Sequence, residues 1–272
     1  MKSKKLSLIT AISVVIGCVI GSGVFVKPGR VLLAAGSANG ALLAWTLGGL
    51  ISLAGGLTLA EIASRSPKTG GIYVYMEEIF GKLWGFLAGW VQAIIYGPAL
   101  MSALSLYFAS LFLQFIEIEN KAMVKPVALI VLFLLVTVTA ISTHLGALIQ
   151  NLSTFIKLIP IAVLGIAGLI MGSESWVGLS LTSSATPAAG MGVAILATLW
   201  AYDGSVQVAN LAGEIENPVK NLPRAIIIGL ITIMAAYLLV NISLFSVVPI
   251  DKIAELNEKT AAVAAQTLFG SF

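Results

Sequence analysis

Seven long apolar runs follow one another along 272 residues, joined by short polar connections. They fall near residues 7–35, 41–64, 83–115, 127–142, 147–171, 190–212 and 222–248, the fourth reaching full length only if 123–126 belong to it. A helix needs about 20 mostly apolar residues to cross a bilayer, so the chain reads as an all-α polytopic membrane protein. Composition agrees, because 58% of residues are hydrophobic, 10% are charged and the mean hydropathy is +1.03. Soluble domains carry roughly a quarter charged residues. So few charges cannot cover a water-soluble body, which excludes a cytosolic enzyme, a nucleic-acid-binding domain and a disordered chain. One cysteine and one histidine leave no disulfide framework and argue against a zinc site.

The connections set the orientation. With a cytoplasmic amino terminus, that side collects Lys2, Lys4, Lys5, Arg65, Lys68, Lys82, Lys220 and Arg224, eight in all, against four (Lys121, Lys125, Lys252 and Lys259) opposite. Basic residues favour the cytoplasmic side, so the amino terminus is expected inside. Segment 71–81 carries Ile72, Tyr75, Met76 and Ile79 at helical spacing with Glu77 and Glu78 opposite, which predicts a short interfacial helix. Segment 249–269 mixes Asp251, Lys252, Glu255, Glu258 and Lys259 with Ile253, Leu256, Val263 and Leu268. It predicts an amphipathic excursion leading into a further apolar segment. Val15-Ile16-Gly17-Cys18 after a basic start resembles a lipoprotein signal, but Val19 to Val26 stays apolar and six more runs follow, which favours an intact first span.

Two spans are interrupted. The first contains Gly17, Gly21-Ser22-Gly23 and then Lys27-Pro28-Gly29-Arg30. Each glycine costs about 1 kcal/mol against alanine inside a helix, and irregular backbone at membrane depth persists only inside protein or beside a wet cavity. Gly17 and Gly21 fit close helix packing, whereas Gly21-Ser22-Gly23 favours an unwound hinge. The sixth run places Asp203-Gly204-Ser205 after Leu199-Trp200-Ala201-Tyr202, halfway through a span. Interruptions in corresponding halves point to an inverted-repeat transporter with a site near the midplane. A half-helix that starts after a break offers free N–H groups and a positive dipole end, which suit a carboxylate. One that ends before a break offers carbonyls, which suit an ammonium. Together they describe a site for a zwitterion, an α-amino acid.

Lys157 lies in Phe155-Ile156-Lys157-Leu158-Ile159-Pro160, near the middle of the fifth run and too far from its ends to snorkel. Two overlapping readings stand: a structural lysine bonded to backbone carbonyls, or an ammonium that replaces a coupling sodium beside the first hinge. In both, the natural acceptors are carbonyls at the end of the first half-helix, around Cys18 to Gly21.

Residues 15–25 (VIGCVIGSGVF) and Pro67-Lys68-Thr69-Gly70-Gly71-Ile72-Tyr73 resemble the amino acid–polyamine–organocation (APC) superfamily. Trp200-Ala201-Tyr202-Asp203-Gly204, then Glu214, Asn217-Pro218 and Asn221-Leu222-Pro223-Arg224-Ala225, narrow the resemblance to the L-type amino acid transporter family. Its bacterial serine/threonine and alanine-serine-cysteine exchangers are the nearest in pattern. The resemblance covers the chain and implies a LeuT-type inverted-repeat fold with broken first and sixth helices. About twelve spans are expected, of which about seven are present, so the chain is expected to be part of a longer polypeptide. Residues 1–172 would be the first five-helix repeat and 190–272 the start of the second, within one membrane transport domain.

The implied activity is sodium-independent exchange of small neutral L-amino acids (alanine, serine, threonine or similar) in the cell membrane, with no cofactor. By motif, Ser22 and Gly23 would bind the substrate carboxylate, with Gly21 in the same substrate-binding set, while the carbonyls of Val19, Trp200 and Asp203 face its ammonium. Ala201 and Ser205 complete the substrate-binding set, although many relatives carry Trp in place of Ser205. Trp200 takes the place of the aromatic gate, and Lys157 matches the family's fifth-helix lysine. Eukaryotic relatives join a heavy subunit through a cysteine between spans three and four. Segment 117–125 has none and Cys18 lies inside the first span, so no disulfide-linked subunit is expected. The expected partners are the substrates and the lipid bilayer, with no nucleic acid.

Three rivals are weaker. A membrane-embedded enzyme needs clustered acids, histidines or an activated nucleophile, whereas His144 and Glu61 stand apart in sequence. A proton-coupled symporter of the same fold would use Asp203, since burial raises a carboxyl pKa, but pairing or water contact would keep it ionised. A channel would need rings of charge or a filter motif.

Overall fold

The computed structural model describes residues 5–65, 70–118, 120–141, 143–174, 190–204 and 212–270. From the amino terminus come α1 (Leu8–Val19), α2 (Gly23–Val26), α3 (Pro28–Ala35) and α4 (Ala38–Arg65). Then follow α5 (Ile72–Phe80), α6 (Lys82–Trp90), α7 (Gly97–Phe115), α8 (Val124–Ile141) and α9 (Thr143–Met171). After residue 189 come α10 (Gly190–Leu199), α11 (Pro218–Val247), α12 (Ile250–Leu256) and α13 (Thr260–Phe269). The chain forms two compact units, Met1–Gly71 with Thr154–Phe272, and Ile72–Ser153.

In the first unit, Ser7 opens α1 by accepting the Thr10 amide on its hydroxyl at 3.3 Å, the usual role of a serine N-cap. Pro28 starts α3, and Gly36 ends it at φ +75°, a left-handed cap that glycine adopts without strain. Helix α11 packs against α4 and α1, and α10 against α3 and α4. Helices in lipid associate through close packing at small residues rather than through hydrophobicity. Gly229 of α11 lies so near α1 that a Cβ there would sit 2.6 Å from Val15 Cγ1. Gly165, Gly168 and Gly172 bring α9 onto Leu239, Ser243 and Ser246 of α11, and the Ser243 hydroxyl donates to the Leu164 carbonyl. Among the described residues, Trp45, Tyr202, Tyr237 and Phe245 are the largest fully buried side chains. The chain before α1 is tied to the segment before α11, Leu6 N donating to Glu214 O at 2.8 Å and Glu216 N to Leu6 O at 2.9 Å.

In the second unit, α5 packs on α6, and α7 on α8. Pro98 has no N–H for the Ile94 carbonyl, and the helix widens into a π-turn over Val91–Tyr96, with Gly97 N bonded to Gln92 O. Such turns are local insertions in otherwise α-helical segments.

Several sequence expectations meet the structure here. Among the described residues, Leu8–Val26, Ala38–Arg65, Lys82–Phe115, Lys121–Val138 and Pro218–Val247 are long and apolar enough to span. The fifth and sixth runs supply shorter apolar helices, Ile156–Met171 and Gly190–Leu199. The first run is divided twice, at residues 20–22 and again at Lys27, because Pro28 favours a fresh helix start. Segment 71–81 is helical as expected, with Tyr75 buried, but Ile79 is exposed. Segment 249–269 folds as α12, a tight turn and α13.

Candidate functional site

The last intrahelical bond of α1 runs from Ile20 N to Ile16 O at 2.9 Å. Ile20 then turns extended, at ψ 111°, and helix resumes where the Ser22 carbonyl takes Phe25 N and Val26 N at 3.0 and 3.1 Å. The Gly17, Cys18 and Val19 carbonyls therefore lie beyond the last helical bond, at the end of a half-helix where acceptors are left over. Lys157 of α9 fills the first of them, its Nζ donating to Gly17 O at 2.6 Å. Sequence reasoning aimed this ammonium at Cys18 to Gly21. It lands one residue earlier because Ile16 O is the last carbonyl that the helix itself uses.

The second break follows α10. Ala201 N bonds Thr198 O at 2.9 Å, and Tyr202 N divides between Thr198 O and Leu199 O, each at 3.2 Å. Asp203 is exposed, and its carboxylate accepts the Gly204 amide at 2.8 Å. Gly204 has φ +116°, and a Cβ on it would come within 2.5 Å of Cys18 O. Only glycine tolerates both the dihedral and the approach. On the other side, a Cβ on Gly23 would stand 2.7 Å from the Ala201 methyl. The two breaks therefore run against each other with nothing larger than hydrogen between them at Gly23 and Gly204.

A tyrosine holds the junction. Tyr237 of α11 is fully buried, and its hydroxyl donates to Ala201 O at 2.9 Å, with Val19 O at 3.4 Å. Its ring lies 5.1 Å from Tyr202 and 5.5 Å from Trp45, centroid to centroid, within the range of favourable aromatic pairing. Tyr202 Oη in turn donates to Trp45 O at 3.0 Å. Thr198, also buried, donates to Ile195 O at 2.7 Å and approaches Ala44 O at 3.4 Å. This aromatic and hydroxyl layer fixes the second break on α4 and α11.

Of the residues expected at the site, Val19, Gly21, Ser22, Gly23, Trp200, Ala201 and Asp203 all lie at the two breaks, with Lys157 beside the first. Ser205 lies outside the described residues. Trp200 is 41% exposed, and the Lys27 ammonium stands 4.5 Å from its ring centroid. Sequence reasoning missed Trp45, Tyr202, Tyr237 and Lys27. A buried hydroxyl in an apolar span must find a partner, and that signal was available at Tyr237, although the partner was not. Glu61 pairs with Arg65 on α4. Among the described residues no group of three or more His, Cys, Asp or Glu could hold a metal.

Apolar helices and two facing helix breaks define a multi-pass helical membrane protein, and the permease family that the chain matches fits the LeuT-type inverted-repeat fold. The model for the amino acid permease family matches residues 6–272, and the chain belongs to that family. It is similar to the serine/threonine exchanger SteT of Bacillus subtilis (strain 168), 45% identical over 268 residues, or 98% of this chain and 60% of that protein. It is 33% identical to the human b(0,+)-type amino acid transporter 1, across 90% of this chain and 51% of the relative. The human cystine/glutamate transporter is 30% identical across 99% and 55% respectively. The chain thus spans between half and three-fifths of the length of these curated relatives.

Proposed function

We propose that the protein exchanges small neutral L-amino acids such as alanine, serine and threonine by alternating access, without sodium. One observation carries this reading: the contact of the two breaks at Gly23–Ala201 and Gly204–Cys18. Carbonyls left over at the end of α1 and amides at its restart then lie within one small region, which suits a zwitterion. In this reading Gly21, Ser22 and Gly23 take the substrate carboxylate. Carbonyls of Val19, Trp200 and Asp203 take the ammonium, Ala201 and Ser205 line the same site, and Trp200 closes over it. Lys157 stands where a coupling sodium would otherwise bind, and its bond to Gly17 O supports that role.

The protein lies in the cell membrane with its amino terminus in the cytoplasm, supported by the excess of basic residues on that side. Residues 1–172 form the first repeat and 190–272 begin the second, each opening with a broken span. The single cysteine, Cys18, is half-buried in α1, which supports operation without a disulfide-linked subunit. The similarity to a serine/threonine exchanger supports the substrate class.

The test uses the full-length polypeptide in proteoliposomes. Uptake of labelled serine is expected to require unlabelled neutral amino acid inside, and to persist when choline replaces sodium. A several-fold sodium requirement, or uptake driven by an inward proton gradient into empty vesicles, would overturn this reading in favour of symport.

A further inference from the structure

Lys27 caps two helices at once. Its amide bonds Gly23 O at 3.0 Å as α2 ends, and its carbonyl takes Val31 N at 2.9 Å as α3 begins. With Pro28 next in sequence, the backbone has little freedom at this point. The anchor is also fixed from behind: a Cβ on Gly29 would come within 2.6 Å of Asn257 Cα, so α3 lies hard against the turn that follows α12. From this mount the half-buried Lys27 side chain reaches the sixth-span break, and its ammonium lies over the Trp200 indole, 4.5 Å from the centroid. The edge of the same indole, at Cε3, is 3.5 Å from where a Gly23 Cβ would be. Trp200 is therefore bounded by two residues of the first broken span, while much of the rest of its surface is open.

An indole that is 41% exposed at the end of a helix has other rotamers to visit, and something must select the observed one. A cation over the ring face does so. The interaction alters an equilibrium by about 3-fold at an exposed site and about 30-fold when desolvated. Lys27 and Trp200 come from the two different broken spans, so the contact also joins them.

We propose that Lys27 is the positioning residue of the gate, its ammonium holding the Trp200 indole over bound substrate. This rests on the exchange reading above. A lysine that only solvates the protein surface would leave Trp200 unaffected when replaced, and the two are separable.

The experiment measures homoexchange of labelled serine by full-length protein in proteoliposomes, comparing wild type, Lys27→Gln, Lys27→Arg, Trp200→Ala and the Lys27→Gln/Trp200→Ala double variant. Lys27→Gln is expected to raise KM by about 3- to 30-fold, with kcat changed less. Lys27→Arg keeps a cation that also stacks on indole, and should stay near wild type. In the Trp200→Ala background Lys27→Gln should add nothing, since coupled residues are not additive. Wild-type kinetics in Lys27→Gln, a loss confined to kcat, equal damage from Lys27→Arg, or effects that multiply in the double variant would each overturn the proposal. If wild type itself fails to exchange, the functional reading falls. The contact is then judged by acrylamide quenching of the Trp200-dependent fluorescence. Greater quenching in Lys27→Gln upholds it and unchanged quenching refutes it.

Discussion

Replacing Lys157 by alanine removes the ammonium that occupies the first unused carbonyl of α1, at 2.6 Å. A hydrogen bond to a charged group contributes about 1.5–3 kcal/mol net. Lys157 is only half-buried, and its removal also relieves the cost of holding a charge at membrane depth. The lower end is therefore appropriate, about 1.5–2 kcal/mol, or a factor of about 10 to 30. Gly17 precedes the proposed carboxylate site by four residues, so the loss should fall on the conformation of the hinge rather than on substrate contacts. In reconstituted exchange, kcat is expected to drop about 10- to 30-fold while KM moves by less than about 3-fold, the signature of an interaction not shared with bound substrate. Lys157→Arg should recover only part of the rate, because a planar guanidinium directs its donors differently. Wild-type turnover in Lys157→Ala, or a loss seen wholly in KM, would refute the reasoning.

Gly23→Ala pushes a methyl into Ala201, and overpacking of this kind costs about 1–3 kcal/mol. Exchange should fall, and Ala201→Gly in the same protein should restore only part of it, because the Ala201 Cα would still lie 2.8 Å from the added methyl. Wild-type exchange in Gly23→Ala would remove this contact from the mechanism. Tyr237→Phe deletes the donor shared by Ala201 O and Val19 O, costing about 1 kcal/mol. A lower melting temperature by fluorimetry in detergent, with slower exchange, is expected, and an unchanged pair of values would contradict the tie. Trp200→Ala should raise KM for serine about tenfold or more, since an indole buries a large apolar area, and unaltered kinetics would take Trp200 out of the site.

The apolar runs specified that the chain is built of membrane helices, because span length and hydropathy are one-dimensional properties that bilayer thickness reads directly. Both breaks were legible for a similar reason. Gly21-Ser22-Gly23 and Asp203-Gly204 are unfavourable inside an apolar helix whatever surrounds them, so their cost is written locally. Lys157 was legible as a mid-span charge in need of acceptors. The short helix over 72–80 could be read from its spacing, although the exposed Ile79 shows that its buried stripe is narrower than its apolar one.

What touches what could not be read in this way. In a soluble helix the apolar stripe marks the buried face, but in lipid both the protein side and the lipid side are apolar, so the pattern gives no rotation about the helix axis. Tyr237 therefore offered a hydroxyl in need of a partner, and only folding put it within reach of Ala201 O and Val19 O. Lys27 likewise belonged to a Lys-Pro-Gly-Arg turn in the sequence, and only the packing of α3 and α10 set its charge over Trp200. The one-residue choice of Gly17 over Cys18 as the lysine's acceptor was settled by where α1 stops hydrogen-bonding to itself, which depends on the neighbouring helices that hold the break open.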